Sequence, residues 1–228
     1  FALMNLTAPP IALHSTDYLA KQLDTPRYYG AENLREMVEA GNMWEISEDI
    51  DCSEAAAVAI RTRLLGQIFA VSGQIIDEEI CSLEDIDRGA KVGLRWACGP
   101  FELANRLGIS QAKEMAQDYC ELANFPLPKC WERKTNFEFN YIDSTLNNGI
   151  ATLTINRPEA MNALNETVVG QLGQALDKAN ADNSVHTIVL DGAGKAFVAG
   201  ADVKFFVDKL RADSFQDIYD FTANGHSV

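Results

Sequence analysis

Apolar residues recur at helical spacing through most of the chain up to about Trp131, and at alternating spacing after it. Ile11 to Leu23 and Ala31 to Ala40 each predict a short helix, with Gly41 where a helix C-terminus favours a left-handed residue. The longest helix is predicted from Ser53, an N-cap, through Ile60, Leu64, Leu65, Ile68, Phe69, Val71 and Ile75. Ser82 with Asp85 resembles a capping box that opens SLEDIDRGAKVGL, Gly99 Pro100 restarts a helix carrying Phe101 and Leu103, and a further helix covers Ser110 to Ala123. After Pro126 and Pro128 the period changes. NFEFNYID alternates apolar and polar positions, and GIATLTI follows Asn147 Asn148 Gly149, so two strands joined by a turn are predicted. Asn165 or Thr167 caps a helix through Val168, Leu172 and Leu176, and His186 to Leu190 reads as another strand. A glycine-containing loop comes next, then a helix from near Ala201 and a last helix through Phe215, Ile218, Phe221 and Thr222 that stops at Asn224 Gly225.

Composition narrows the partners. Thirty-three acidic against 19 basic residues give a formal charge of -14, which argues against a nucleic acid or an anionic membrane surface as partner. Any anionic ligand then needs local backbone donors. The five cysteines, Cys52, Cys81, Cys98, Cys120 and Cys130, are odd in number and form no CxxC pair, so neither a metal site nor a disulfide framework is expected. No uninterrupted apolar run approaches the roughly 20 residues of a membrane span, no signal-peptide pattern opens the chain, and a cytoplasmic location is expected. The chain opens at Phe1 in apolar sequence, and Phe1, Leu3 and Asn5 of FALMN recur as Phe101, Leu103 and Asn105 of FELAN. Together with strands that nothing follows to cover, this gives the expectation of a chain cut at both ends.

The stretch GAGKAFVAGADVKFF, Gly192 to Phe206, follows a β-branched run and leads into a helix. Backbone N–H groups at such a helix start can hold an anion or a developing oxyanion. It is no dinucleotide fingerprint, because Phe197 takes the place of the third glycine, and no Walker A loop, because Ala196 follows Lys195. Upstream stands INRPEAMNALN, Ile155 to Asn165. The two motifs together resemble the N-terminal half of the crotonase (enoyl-CoA hydratase/isomerase) family. By that resemblance the backbone N–H of Ala201 is one of two oxyanion donors gripping an acyl-thioester carbonyl, a contribution of about 3 to 4 kcal/mol to such a transition state. Ala199, Gly200, Asp202, Val203 and Lys204 resemble the acyl-CoA contact strip, and Glu159, Ala160 and Met161 lie where the family holds CoA. On the residues alone, Gly200 could equally serve a tight turn and Pro158 start a loop. The second donor and the two glutamates of family hydratases belong to the next half, and the resemblance gives Asp202 and Glu159 no acid or base role.

AIRTRLLGQIF, SLEDIDRGAKVGL and GPFEL resemble the C-terminal domain of 3-hydroxyacyl-CoA dehydrogenases. Thr62 stands where active copies carry an asparagine, and His14, His186 and His226 match none of that family's motifs, so this copy is expected to be structural. The expected architecture is mixed: an all-α dehydrogenase C-terminal-type helical domain followed by an incomplete α/β crotonase-type domain. Residues 1–50 would be the latter part of a first helical copy, 51–131 a second, and 132–228 the first half of the crotonase-like domain. The resemblance implies a bifunctional parent that hydrates a trans-2-enoyl-CoA such as crotonyl-CoA and oxidises the 3-hydroxyacyl-CoA with NAD. Its nucleotide-binding domain would precede this chain, which alone would be inactive. The parent would be a homo-oligomer with an acyl-CoA substrate. Alternatives are a non-catalytic scaffold or dimerisation segment, and a crotonase-fold isomerase or thioester hydrolase.

Overall fold

A computed structural model describes residues 2–24, 28–46 and 52–228 of the chain. Two positions used above, Phe1 of the echo and Asp51 at a domain start, lie outside the described residues. By contacts the chain divides into two compact units, Phe1–Cys81 with Leu103–Asn136 and Ser82–Glu102 with Phe137–Val228. The helical stretch 82–102 thus groups with the strands that follow it, across the division the sequence suggested.

The first unit holds α1 (Ala2–Thr7), α2 (Pro9–Gln22), α3 (Glu32–Glu39), α4 (Glu54–Asp77) and α7 (Ile109–Leu122), while α6 (Pro100–Leu107) runs from one unit into the other. Ser53 caps α4 by accepting from the Ala56 N–H at 3.2 Å. The chief packing is α4 on α7. Small residues make it possible: a Cβ added at Gly66 would lie 2.3 Å from the Met115 carbonyl oxygen, and Ala112, Ala116 and Cys120 are buried on α7. Trp131, fully buried in a 3-10 turn at Lys129–Glu132, meets Phe69 of α4 at 5.5 Å between ring centroids and donates Nε1–H to its carbonyl at 3.2 Å. The neighbouring Cys130 thiol is pushed up to about 12, by burial first and the Asp77 carboxylate second, which makes it inert as a nucleophile.

Among the described residues α4 is also the one helix long and apolar enough to cross a membrane, with a mean hydropathy of 1.2 over 18 residues. Arg61 and Arg63 interrupt the run, and Gly66, Phe69, Ala70 and Gly73 are buried. Its first turns are exposed, Val58, Ile60 and Leu64 included, with Thr62 half-buried among them.

The FALMN/FELAN echo has a backbone counterpart. Helices α2 and α7 are each 14 residues long and start one hundred positions apart, at Pro9 and Ile109. Each is preceded by a residue at positive φ, Ala8 (66°) and Gly108 (95°), and followed by another, Asp24 (48°) and Asn124 (49°). Pro9 and Ile109 are both buried, as are Ala20 and Cys120.

The second unit contains α5 (Leu83–Gly93), β1 (Ile142–Asn147), β2 (Ile150–Ile155), α8 (Glu166–Ala181), β3 (Thr187–Gly192), α9 (Val203–Arg211) and α10 (Phe215–Ser227). Strands β1 and β2 form an antiparallel hairpin, with Ile142 opposite Ile155, about the tight turn Asn148–Gly149. Strand β3 pairs with β2 in parallel, Ile150 opposite Thr187, and parallel pairing requires the crossover that α8 supplies. Asn165 is the cap of α8, accepting from Val168 N–H at 3.0 Å. Ile142, Leu153, Ile155, Val168 and Leu172 form the core between sheet and helix. The helix-rich fold with a three-stranded sheet is the expected all-α domain followed by crotonase-type α/β structure.

Three local expectations are corrected. Residues 136–141, read as part of a strand, are not one: Gln171 takes the Tyr141 N–H and donates to the Phe139 carbonyl, and Glu84 takes the Asn140 N–H, so side chains of α8 and α5 satisfy the backbone a ladder would have used. Helix α9 begins at Val203 rather than Ala201, because Ala201 is held in an extended bridge to Leu164. Helix α10 passes through Asn224 and Gly225, the expected stop, because the Val228 N–H still bonds back to the Asn224 carbonyl.

Candidate active-site loop

The turn after β2 and the loop after β3 are fastened by backbone bonds. Pro158–Ala160 form a 3-10 turn, Met161 and Asn162 take left-handed φ of 52° and 56°, and the Met161 carbonyl accepts the Ala199 N–H at 3.1 Å. Leu164 then pairs with Ala201 in a parallel bridge, its N–H donating to the Gly200 carbonyl and its carbonyl accepting from Asp202, both at 2.8 Å. In a parallel bridge the bonds run to the residues on either side of the paired one. The peptide N–H of Ala201 itself therefore points away from Leu164. Ala201 is exposed, and Gly200 beside it has φ 119°, which an L side chain rarely adopts, with open space where a Cβ would be.

Asn162 holds this arrangement together. Fully buried, it accepts the Arg157 N–H at 2.8 Å and donates through Nδ2 to the carbonyls of Ala193 at 2.9 Å and Ala196 at 2.7 Å. One amide thus satisfies three backbone groups from two loops. Arg157 adds a second clasp: its guanidinium donates to the Ala163 carbonyl at 3.1 Å and to the Asp202 carboxylate at 2.7 Å, 5.7 Å from the Tyr141 ring centroid. Asp202 in turn caps α9 by accepting from Lys204 N–H at 3.0 Å. Burial alone would raise the Asp202 pKa, but the Arg157 hydrogen bond and charge, with the Lys204 and Phe205 N–H groups, outweigh it and hold the carboxyl below its ordinary range. Burial pushes the Tyr141 phenol up to about 12 despite the Arg157 charge, leaving it neutral.

The depressed Asp202 pKa fixes the sign of a pH effect. Its stabilisation is fully present above the unfolded value, about 3.9, and is lost as pH falls through the lower folded value. Asp202→Asn keeps the cap but not the charge, and is expected to cost about 1–2 kcal/mol at neutral pH. Urea denaturation from pH 7 to 3 should show the gap from the unsubstituted chain closing only below about pH 4. A pH-independent gap would assign the loss to something other than the ionised pair.

Of the residues singled out from sequence, Ala199, Gly200 and Ala201 come together with Met161, whose side chain is exposed. Ala160 is half-buried in the 3-10 turn, and Val203 and Lys204 are exposed at the start of α9. Glu159 is turned elsewhere: its side chain is only 9% exposed, 3.2 Å from Arg88 Nε and 3.5 Å from Lys91 Nζ of α5. Asn162 belongs to the INRPEAMNALN motif, whose family resemblance gives it no role; its sequence signal is an amide flanked by Met161 and Ala163 at a chain reversal. A groove of about 330 Å³ between α8 and α10 shares no lining residue with this loop. A Cβ added at Gly192 would lie 2.4 Å from the Phe197 carbonyl oxygen and 2.7 Å from that of Ala196, and the loop runs on to the Leu164 bridge instead of opening directly into a helix.

Family profiles match both parts of the chain. The one described as 3-hydroxyacyl-CoA dehydrogenase, C-terminal domain, covers residues 60–145, and that described as enoyl-CoA hydratase/isomerase covers 145–225. Both domain types lie on this one chain. The hydratase/isomerase segment is similar to the mitochondrial enoyl-CoA hydratase of Pongo abelii, with 41% identity over 85 residues, covering 37% of this chain and 28% of that protein. It is similar also to 1,2-epoxyphenylacetyl-CoA isomerase of Escherichia coli, with 38% identity over 63 residues, covering 28% of this chain and 24% of that one. A crystal structure of an enoyl-CoA hydratase from Mycobacterium marinum shares 37% identity over 31% of this chain and 34% of that chain, at a TM-score of 0.31, too low to bear on the fold. The chain thus spans 28% or less of the length of the two sequence relatives. Acyl-CoA metabolism is the functional class these domains share.

Proposed function

We propose that the hydratase/isomerase segment polarises the carbonyl of an acyl-CoA thioester through the Ala201 N–H, within a protein that hydrates trans-2-enoyl-CoA and oxidises the resulting 3-hydroxyacyl-CoA with NAD. The observation that carries this reading is the Leu164–Ala201 bridge, which directs one peptide N–H off the ladder beside the start of α9. A developing thioester oxyanion meets there a fixed donor and the positive end of a helix dipole. Asp202 anchors the donor from one side, and Ala199, bonded to Met161, from the other.

The same geometry supports binding without turnover by the 228 residues alone. The two carboxylates of the motifs are engaged, Glu159 with Arg88 and Lys91 and Asp202 with Arg157, so neither is placed to activate water. Titration calorimetry with crotonyl-CoA is expected to show saturable binding, while the enoyl absorbance stays constant. Hydration at a rate above background would refute the second expectation, and absence of binding the first. An isomerase reading gains weight from similarity to the trans-2-decenoyl-[acyl-carrier-protein] isomerase of Streptococcus mutans, 33% identical over 81 residues; a shifted double bond in place of a hydrated one, among the products of the longer protein, would select it.

The match of α2 and its flanking left-handed residues to α7 supports a proposal about descent as well: residues 1–50 are the latter part of a first helical copy. In this copy Ile11 and Tyr18 are exposed at positions where the second has the polar Gln111 and Asp118.

A further inference from the structure

Helix α5 opens at Ser82, whose hydroxyl accepts the Asp85 N–H at 3.1 Å, and places Asp85, Arg88 and Lys91 three residues apart along one side. Arg88 uses all three guanidinium nitrogens. One end group donates to Asp85 at 2.8 Å, Nε donates to Glu159 at 3.2 Å, and the other end group donates to both the carbonyl and the side-chain oxygen of Asn156, each at 3.2 Å. Lys91 reaches the same Glu159 at 3.5 Å and Glu102 at 3.8 Å. Asn156 is fixed on its other sides, its N–H donating to the Tyr141 carbonyl at 2.8 Å and its amide to Asp143 at 2.7 Å.

This cluster is not an anion site. Arg88 and Lys91 are matched by Asp85, Glu159 and Glu102, and a planar fork with three partners has no donor face left for a phosphate. Its effect is mechanical. Residues 156–159 are gripped at the carbonyl and side chain of Asn156 and at the carboxylate of Glu159. The turn that follows delivers the Met161 carbonyl to the Ala199 N–H, two residues before the Ala201 donor. We infer that Arg88, which lies in the stretch matched by the dehydrogenase-type profile, is a positioning residue for the acyl-CoA turn of the hydratase/isomerase segment. The inference rests on the reading of that turn given above. It makes the grip on CoA depend on a helix from the preceding family match, so the two domain types are joined by more than chain continuity.

The test uses the whole chain and a push–pull probe, 4-dimethylaminocinnamoyl-CoA, whose absorbance moves to the red when its carbonyl is hydrogen-bonded. Affinity then reports the grip on CoA, and the shift at saturation reports the oxyanion donor. Arg88→Ala is expected to weaken binding roughly tenfold, the equivalent of one charge-assisted contact. The red shift at saturation should stay near that of the unsubstituted chain, the melting temperature should fall by about a few degrees with the fold intact at the assay temperature, and Arg88→Lys should fall between the two. Equal affinity for Arg88→Ala and the unsubstituted chain overturns the inference while leaving the functional reading intact. Loss of binding that merely tracks melting in both variants overturns it too, since it shows a role in folding alone. If the unsubstituted chain neither binds nor shifts the probe, the functional reading fails and this inference falls with it.

Discussion

Asn162→Ala is expected to lower the stability of the chain by about 3 kcal/mol and to abolish saturable binding of acyl-CoA. Three backbone groups, the Arg157 N–H and the carbonyls of Ala193 and Ala196, lose their partner at once, and each buried polar group left unpaired costs about 1–3 kcal/mol. Water readmitted at the loop surface offsets part of that sum. A left-handed φ of 56°, tolerated better by asparagine than by alanine, adds to the loss. Asn162→Asp is the sharper variant. It preserves size and the bond from Arg157, but it sets a carboxylate against two carbonyls, and it should be at least as damaging. Urea denaturation with calorimetric titration of crotonyl-CoA provides the check. A loss below about 1 kcal/mol, or binding left intact, would show that the two loops are held without this amide.

Trp131→Ala should cost about 3–5 kcal/mol, from the cavity left against Phe69 and from the Phe69 carbonyl that loses its donor. Its environment is closely filled: the indole is fully buried, and a Cβ added at Gly73 would stand 2.5 Å from Nε1. Trp131→Phe separates the contributions, since it retains an aromatic ring beside Phe69 and removes only the donor and some volume. A loss of about 1–2 kcal/mol is expected for it. Denaturation curves for the two variants should therefore be well separated; coincident curves would assign the whole effect to the hydrogen bond.

Much of the local structure was legible because it depends on neighbouring residues. Ser53 and Asn165 cap the helices that follow them, each through its own side chain and an N–H three residues on. Ser82 does the same, although Asp85 spends its carboxylate on Arg88, so only half of the expected capping box forms. The motif pair around Pro158 and Ala201 was legible for another reason: a turn and a loop of matching family character imply that they meet, and backbone bonds from Leu164 and Ala199 join them.

Sequence by itself determined the helical and stranded periods, the caps, the hairpin turn and the two kinds of domain, because each is written in spacings of a few residues. Only the tertiary structure decided that residues 136–141 give their backbone to Gln171 and Glu84, and that helix α5 groups with the later strands. It also turned Glu159 away from the loop and toward Arg88, 71 residues earlier in the chain. The physical reason is common to all three. A periodic pattern states which face of an element is apolar, whereas the partner of a particular amide or carboxylate is chosen by whichever donor the folded chain brings within 3 Å or so, at a separation no spacing rule contains.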